Sequence, residues 1–211
     1  AQYFSGTVLM PGEEFSYNGV VGRRTAARGF LPAPAYVGGE TVQETGGGVC
    51  QGSSTVYLAA LRSNLEIVER YPHGYITRYV PDGMDATVYY GAKDFRFRNN
   101  TPFPIQVVGS VSGRSLTVSI LGTKSDNITV EMTNQTVGTT GYKTVYKVDS
   151  SLPAGSTRVS VTPYAGYTVK VYRNLYENGK LKDTKLESTS VYRSRDKVVL
   201  VSPEDAAQYG L

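Results

Sequence analysis

Gly46-Gly47-Gly48-Val49-Cys50-Gln51-Gly52-Ser53-Ser54-Thr55 is the stretch on which the reading of this chain turns. Three consecutive glycines give the backbone positive φ and close approach to a neighbour. From about Ser53 to Leu65 the residues are good helix formers, Val56-Tyr57-Leu58-Ala59-Ala60-Leu61-Arg62 among them. The run predicts a flexible turn passing into a helix, with Cys50, the only cysteine, at the junction. Unpaired N–H groups and the positive dipole end of a helix start stabilise a thiolate, lowering a cysteine pKa from its free value of about 8.5. That is a nucleophile's position. A lone cysteine is also often a small buried hydrophobe, so its partners decide. The only histidine, His73, lies downstream, and spacing alone does not bring sulfur and imidazole together.

Working outward, residues 1–45 mix short apolar pieces with turn formers. Val8-Leu9-Met10-Pro11-Gly12, Phe15-Ser16-Tyr17-Asn18 and Pro32-Ala33-Pro34-Ala35-Tyr36-Val37-Gly38-Gly39 predict short strands and ordered loops. Glu40 to Thr45 reads as a strand feeding the glycine turn. After the helix, Thr77–Val80, Ala86–Tyr90, Asp94–Arg98, Pro104–Val111 and Ser115–Leu121 are strand-sized runs separated by turn signals, a β-meander. Helix first and sheet after predicts an α+β domain, the helix packed on an antiparallel sheet. The polar seam Gly122 to Asn127 marks a boundary, giving domains at 1–124 and 125–211. Beyond it everything reads as strand, with Asn178-Gly179 as the strongest hairpin signal, so the second domain is expected to be all-β.

Composition narrows the classes. Of 211 residues 40% are hydrophobic, enough for a core, and 17 tyrosines with 23 glycines and no tryptophan suit β structure. The net charge of +4 is spread evenly, 11 basic and 9 acidic residues falling on each side of residue 124/125, so there is no basic arm for nucleic acid. No apolar run reaches the roughly 18 to 20 residues that span a bilayer, so membrane attachment would come only through an anchor outside this chain. One cysteine excludes an intramolecular disulfide. One Cys with one His falls short of the four ligands of a structural zinc site, and no metal or cofactor is expected.

Pro11-Gly12-Glu13-Glu14-Phe15-Ser16-Tyr17-Asn18, Val21-Gly22-Arg23, Gly46 to Gln51, Glu69-Arg70 with His73, Asp85-Ala86-Thr87-Val88 and Asp94 to Asn99 occur in the order seen in VanW-like proteins, which this chain resembles over about residues 3–122. The resemblance implies a protein outside the membrane of a Gram-positive bacterium, at the cell surface or wall. The family usually carries a helical stretch before the Pro-Gly-Glu element, so the domain is expected to be incomplete at its N-terminal side. It often has Gly-Arg-Asp where this chain has Gly83-Met84-Asp85, which leaves Arg78 as a candidate for that arginine's role. Residues 125–211 resemble the G-five type of wall-associated module.

The order Cys50, His73, Asp85 is similar to papain-like, NlpC-type and transglutaminase-like enzymes, in which an imidazole takes the thiol proton and a carboxylate fixes its tautomer. In that reading Cys50 attacks an amide carbonyl and Asp85, expected to begin a strand, orients His73. Backbone N–H groups around Cys50 and Gln51 would hold the oxyanion, while Gly48, Glu44 and Arg78 would contribute to the same binding site. Each has a plain alternative: a loop histidine, a solvated arginine, a strand acid. Two functions follow. One is cysteine-dependent acyl transfer, by peptidase, amidase or transpeptidase chemistry, on cell-wall peptides or surface proteins. The other is a non-catalytic envelope module recognising peptidoglycan or a protein partner.

Overall fold

The computed structural model describes residues 1–37 and 40–211, the side chains of residues 36–42 excepted; the expected Gly38-Gly39 turn lies outside them. The chain divides into two compact units, residues 1–135 with 169–190, and residues 136–168 with 191–211.

In the first unit, strand β1 (Thr7–Leu9) pairs antiparallel with β7 (Ile105–Ser112), and β7 with β8 (Ser115–Gly122). A second small sheet has β2 (Glu14–Ser16), β6 (Arg96–Arg98) and β5 (Glu66–Glu69) in the order β2-β6-β5, with Phe15 and Ile67 both opposite Phe97. Strands β3 (Pro32–Val37) and β4 (Glu40–Thr45) pair antiparallel, and β4 runs into the glycine turn. Helix α1 (Tyr17–Val21) starts on Ser16, whose side chain accepts from the Gly19 N–H. Helix α2 (Val49–Arg62) carries the core stripe. Its Val56, Tyr57, Ala60 and Leu61 fall on one face by helical spacing and are buried with Phe15, Phe95, Phe97 and Val107. Phe15 stacks on Phe97 at 4.9 Å, and Tyr57 meets Phe95 edge-on at 5.4 Å.

Three long strands, β9 (Ile128–Thr140), β12 (Gly166–Glu177) and β13 (Lys180–Tyr192), form a sheet in the order β13-β12-β9. The β12–β13 turn is the expected Asn178-Gly179 pair, with φ of 51° and 76°. Residues 169–190 of this hairpin belong to the first unit. There Arg173 and Glu187 form a buried ion pair at 2.9 Å, and Arg173 also donates to the Leu65 carbonyl at 3.0 Å, just past the end of α2. The second unit is built on β10 (Thr144–Val148), β11 (Thr157–Val161) and β14 (Lys197–Val201), in the order β10-β14-β11; β14 runs parallel to β10 and antiparallel to β11.

The structure corrects the expected fold class. An α+β domain with a helix laid on one antiparallel sheet, in the papain or transglutaminase manner, is not what the chain forms. It is mostly β, with 46% of residues in strands and 13% in helix, and its strands make several small sheets. The expected meander is the main casualty. Thr77–Val80 and Ala86–Tyr90 are not strands, and β6 is only the last part of the Asp94–Arg98 run. Backbone groups of the segment find other partners. The Ala86 N–H donates to Ser54 Oγ at 2.9 Å, the Ala86 carbonyl accepts from Ser53 Oγ at 2.6 Å, and the Thr87 N–H donates to the Tyr71 carbonyl at 2.7 Å. With its polar groups met by helix side chains, the segment needs no strand neighbour. Asp85 therefore lies in an extended loop and does not begin a strand.

Candidate active site

Gly48 is the N-cap of α2, in a left-handed conformation at φ 85°, and Cys50 is the second residue of the helix. The helix begins four residues before Ser53, which places the cysteine inside its first turn. The Val49 and Gln51 N–H groups are bonded to the carbonyls of Gly46 (3.2 Å) and Gly48 (3.0 Å). Among the described residues the Cys50 N–H has no such acceptor.

Ser53 and Ser54, three and four residues further on, face the same side as Cys50 and are fully buried. Their hydroxyls bind the Cys50 carbonyl (3.1 and 2.7 Å) and, as above, the backbone of Ala86. They thus fasten the loop that carries Asp85 and Val88 to the first turn of the helix. One consequence is that the Cys50 sulfur lies 3.6 Å from the Val88 carbonyl, to which the neutral thiol donates.

Asp85 is fully buried, and its carboxylate is well supplied with donors. Oδ2 accepts from the His73 main-chain N–H at 2.6 Å and lies 2.6 Å from His73 Nδ1. Oδ1 pairs with Arg70 Nη2 at 3.1 Å. Arg70, 6% exposed, also donates to the carbonyls of Asp85 (2.6 Å) and Gly83 (2.9 Å) and to Ser190 Oγ (2.8 Å). The carboxylate fixes the imidazole with Nδ1 toward itself, which leaves Nε2 for the thiol.

Burial pushes the Cys50 thiol pKa up. The interaction with His73 and the charges of His73 and Arg24 outweigh that and hold it below its ordinary value. For His73, burial acts downward, but hydrogen bonds to Asp85 and Cys50 and their negative charges raise its pKa from 6.5 to about 9. Both shifts favour a thiolate–imidazolium pair. With Asp85 and Arg70 beside it, the buried group has two charges of each sign, which is how such a cluster survives desolvation.

The structure thus brings Cys50, His73 and Asp85 together. Gly48, the N-cap, and Gln51 stand on either side of Cys50 along the chain at the start of α2. Glu44, on β4, and Arg78, in the loop after His73, are exposed and form no part of the hydrogen-bonded cluster among the described residues. The arginine that serves Asp85 is Arg70, eight residues before Arg78. Sequence reasoning passed over Ser53, Ser54 and Tyr79, whose hydroxyl is 3.2 Å from His73 Nε2. Two adjacent serines inside an apolar helix stripe were the one available signal. A cavity of about 420 Å³ lies apart from this cluster, by Asn18, Glu69 and Asp94, and one of about 320 Å³ is lined by Gly48, Val49 and Gln51 together with Tyr3, Phe4 and Phe30.

The sequence model of the family described as "VanW like protein" matches residues 1–121, and that of the G5 domain matches residues 128–203. The chain belongs to the VanW-like family. It is 43% identical over 120 residues to the uncharacterized protein YoaR of Bacillus subtilis (strain 168), a match covering 57% of this chain and 40% of the relative. It is 23% identical over 144 residues to the vancomycin B-type resistance protein VanW of Enterococcus faecalis (strain ATCC 700802 / V583), covering 65% of this chain and 52% of that protein. The chain therefore spans about half the length of these relatives or less. Two solved G5 domains match part of the chain. One, titled HP0197-G5, has 24% identity and a TM-score of 0.21 over 36% of this chain and 97% of that one; the other, from an IgA1 protease, has 16% and 0.25 over 37% and 94%. VanW-like and G5 domains are typical of cell-envelope proteins, and no helix among the described residues is long and apolar enough to cross a membrane.

Proposed function

We propose that this VanW-like chain catalyses cysteine-dependent acyl transfer at the outer face of the cell envelope, on amides of cell-wall peptides or surface proteins. The observation that carries the reading is His73 held by Asp85 at 2.6 Å on Nδ1 while its other side lowers the pKa of Cys50. The thiolate attacks the amide carbonyl, the S–C bond forms and the carbonyl electron pair moves onto oxygen. The Cys50 N–H, in the first turn of α2, is the donor aimed at that charge, because the Gln51 N–H is already committed to Gly48. His73 Nε2–H passes its proton to the leaving amine as the C–N bond breaks, giving a thioester on Cys50. Water or a second amine then attacks the thioester, with Nε2 accepting its proton. Arg70 pairs with the Asp85 carboxylate and holds it in place throughout. The G5-matching part is read as the portion that holds the chain to surface glycan or protein, and any membrane anchor as lying outside residues 1–211.

The test is the rate of Cys50 alkylation by iodoacetamide against pH, in the wild type and in His73→Ala. Thiolate reactivity well below pH 8, shifted upward in the variant, supports the coupled nucleophile. A thiol titrating at its free value whatever stands at position 73 leaves a non-catalytic envelope module.

A further inference from the structure

Tyr79 lies on the irregular loop between His73 and Asp85. Its hydroxyl is 3.2 Å from His73 Nε2, and its ring meets the imidazole edge-on, 6.1 Å between centroids with planes at 79°. Nδ1 is taken by Asp85, so Nε2 is the nitrogen that must carry a proton between Cys50 and a substrate amine. A leaving amine has to come within hydrogen-bond reach of Nε2, and the Tyr79 oxygen already stands in that reach. The tyrosine is 38% exposed where the imidazole is 17% exposed, so it forms the solvent side of the histidine.

We propose that Tyr79 holds the amine position of the site: its hydroxyl caps His73 Nε2 in the free protein, gives way to the substrate amide nitrogen, and its ring walls the space through which the acyl acceptor then enters. The inference rests on the acyl-transfer reading and adds the residue that contacts the leaving and entering amines. Tyr79 changes no bond of its own. In the free protein His73 Nε2 lies within hydrogen-bond reach of Tyr79 Oη; on reaction its proton goes to the amide nitrogen as the C–N bond breaks. The phenol keeps its proton throughout, since burial and the negative charges of Cys50 and Asp85 push its pKa up. The charged groups bearing on this point are Cys50 and its neighbour Arg24, His73, and the Asp85–Arg70 pair.

The experiment uses the 211-residue chain with two thiol reagents, iodoacetamide and the bulkier N-ethylmaleimide, from about pH 5 to about pH 10. Tyr79→Phe, which keeps the ring and removes the acceptor of the Nε2 proton, is expected to lower both alkylation rates at neutral pH by roughly 2- to 10-fold, the worth of one hydrogen bond. Tyr79→Ala, which also removes the wall, is expected to raise the ratio of the maleimide rate to the iodoacetamide rate. Unchanged or faster alkylation in Tyr79→Phe, or an unchanged ratio of the two reagents in Tyr79→Ala, would overturn the proposal. Thermal unfolding of both variants identifies one that has lost its fold, and Tyr79→Phe then decides alone. The two readings fail separately: a His73→Ala protein with unshifted thiol titration removes acyl transfer, whereas silent Tyr79 variants on a His73-dependent thiol remove only this assignment.

Discussion

Arg70 grips Asp85 by both its main chain and its side chain: Nε donates to the Asp85 carbonyl at 2.6 Å, and Nη2 lies 3.1 Å from Oδ1. Both residues are buried, so the pair is costly to break from one side. Arg70→Met leaves an uncompensated carboxylate and is expected to destabilise the protein by roughly 3–5 kcal/mol. Adding Asp85→Asn should recover part of that loss, because the two residues share one network. Urea unfolding of the two single variants and the double variant measures it. A loss below about 1 kcal/mol in Arg70→Met would mean that the pair behaves like an exposed one.

Ser54 offers a second handle, since its hydroxyl donates to the Cys50 carbonyl at 2.7 Å and accepts from the Ala86 N–H at 2.9 Å. Ser54→Ala strands a buried N–H, a loss of about 1–3 kcal/mol. The loop carrying Asp85 then loses one of its ties to α2. Stability should fall by that amount, and Cys50 alkylation should move toward higher pH. A stability loss without any change in the alkylation profile would show that Ser53 alone keeps the loop in register.

The pH dependence follows from the two shifts. Cys50 sits below its usual pKa and His73 above, at about 9, and such a pair titrates in two macroscopic steps. Thiolate reactivity should be present well below pH 9 and rise again through about 9, where the imidazolium is lost and the sulfur is freed. Asp85→Asn removes the leading support of His73, so its pKa falls and the first step moves up toward that of a free thiol. The stability linkage has a definite sign in Cys50→Ser, where Asp85 still raises His73. That contribution is complete below the unfolded value of 6.5 and is lost as pH rises through the native pKa. Urea midpoints against pH in this variant should decline across that window; a flat profile would contradict the raised imidazole.

How much of this was legible in the sequence depends on what satisfied each backbone group. The α2 stripe and the Asn178-Gly179 hairpin were readable because local spacing decides them. The Cys50–His73–Asp85 grouping was readable as chemistry, from residue types and order. The loop 84–88 was not, because Ala86 to Tyr90 has strand-like residues, and its backbone groups are met by the hydroxyls of Ser53 and Ser54 and by the Tyr71 carbonyl in place of a ladder. Arg70 stands in the sequence only as part of a motif, while Arg78 is the candidate for the arginine that the family often has at the position of Met84. Nothing in a linear chain tells which of two arginines turns inward, and Ser190, which helps hold Arg70, is 120 residues away.

The last prediction concerns the boundary near residue 124. Residues 169–190, inside the G5-matching part, belong to the same compact unit as Cys50. Val171 and Val169 lie so close to Gly83 that a Cβ there would come within 2.4 Å of one and 3.3 Å of the other. Gly83 is itself bound by Arg70, and Ser190 accepts from the same guanidinium. A protein ending at residue 124 would therefore lose the valines that back the Asp85 loop, one partner of Arg70, and the Arg173 bond to Leu65. It is expected to unfold at a lower temperature than the full chain and to have a Cys50 thiol closer to its free pKa. In the full chain, Gly83→Ala should act in the same direction, because its methyl group would have to displace Val171. Calorimetry and the alkylation profile read both effects. Should residues 1–124 alone match the full chain in both measurements, the β12–β13 hairpin would be packing without support for the site.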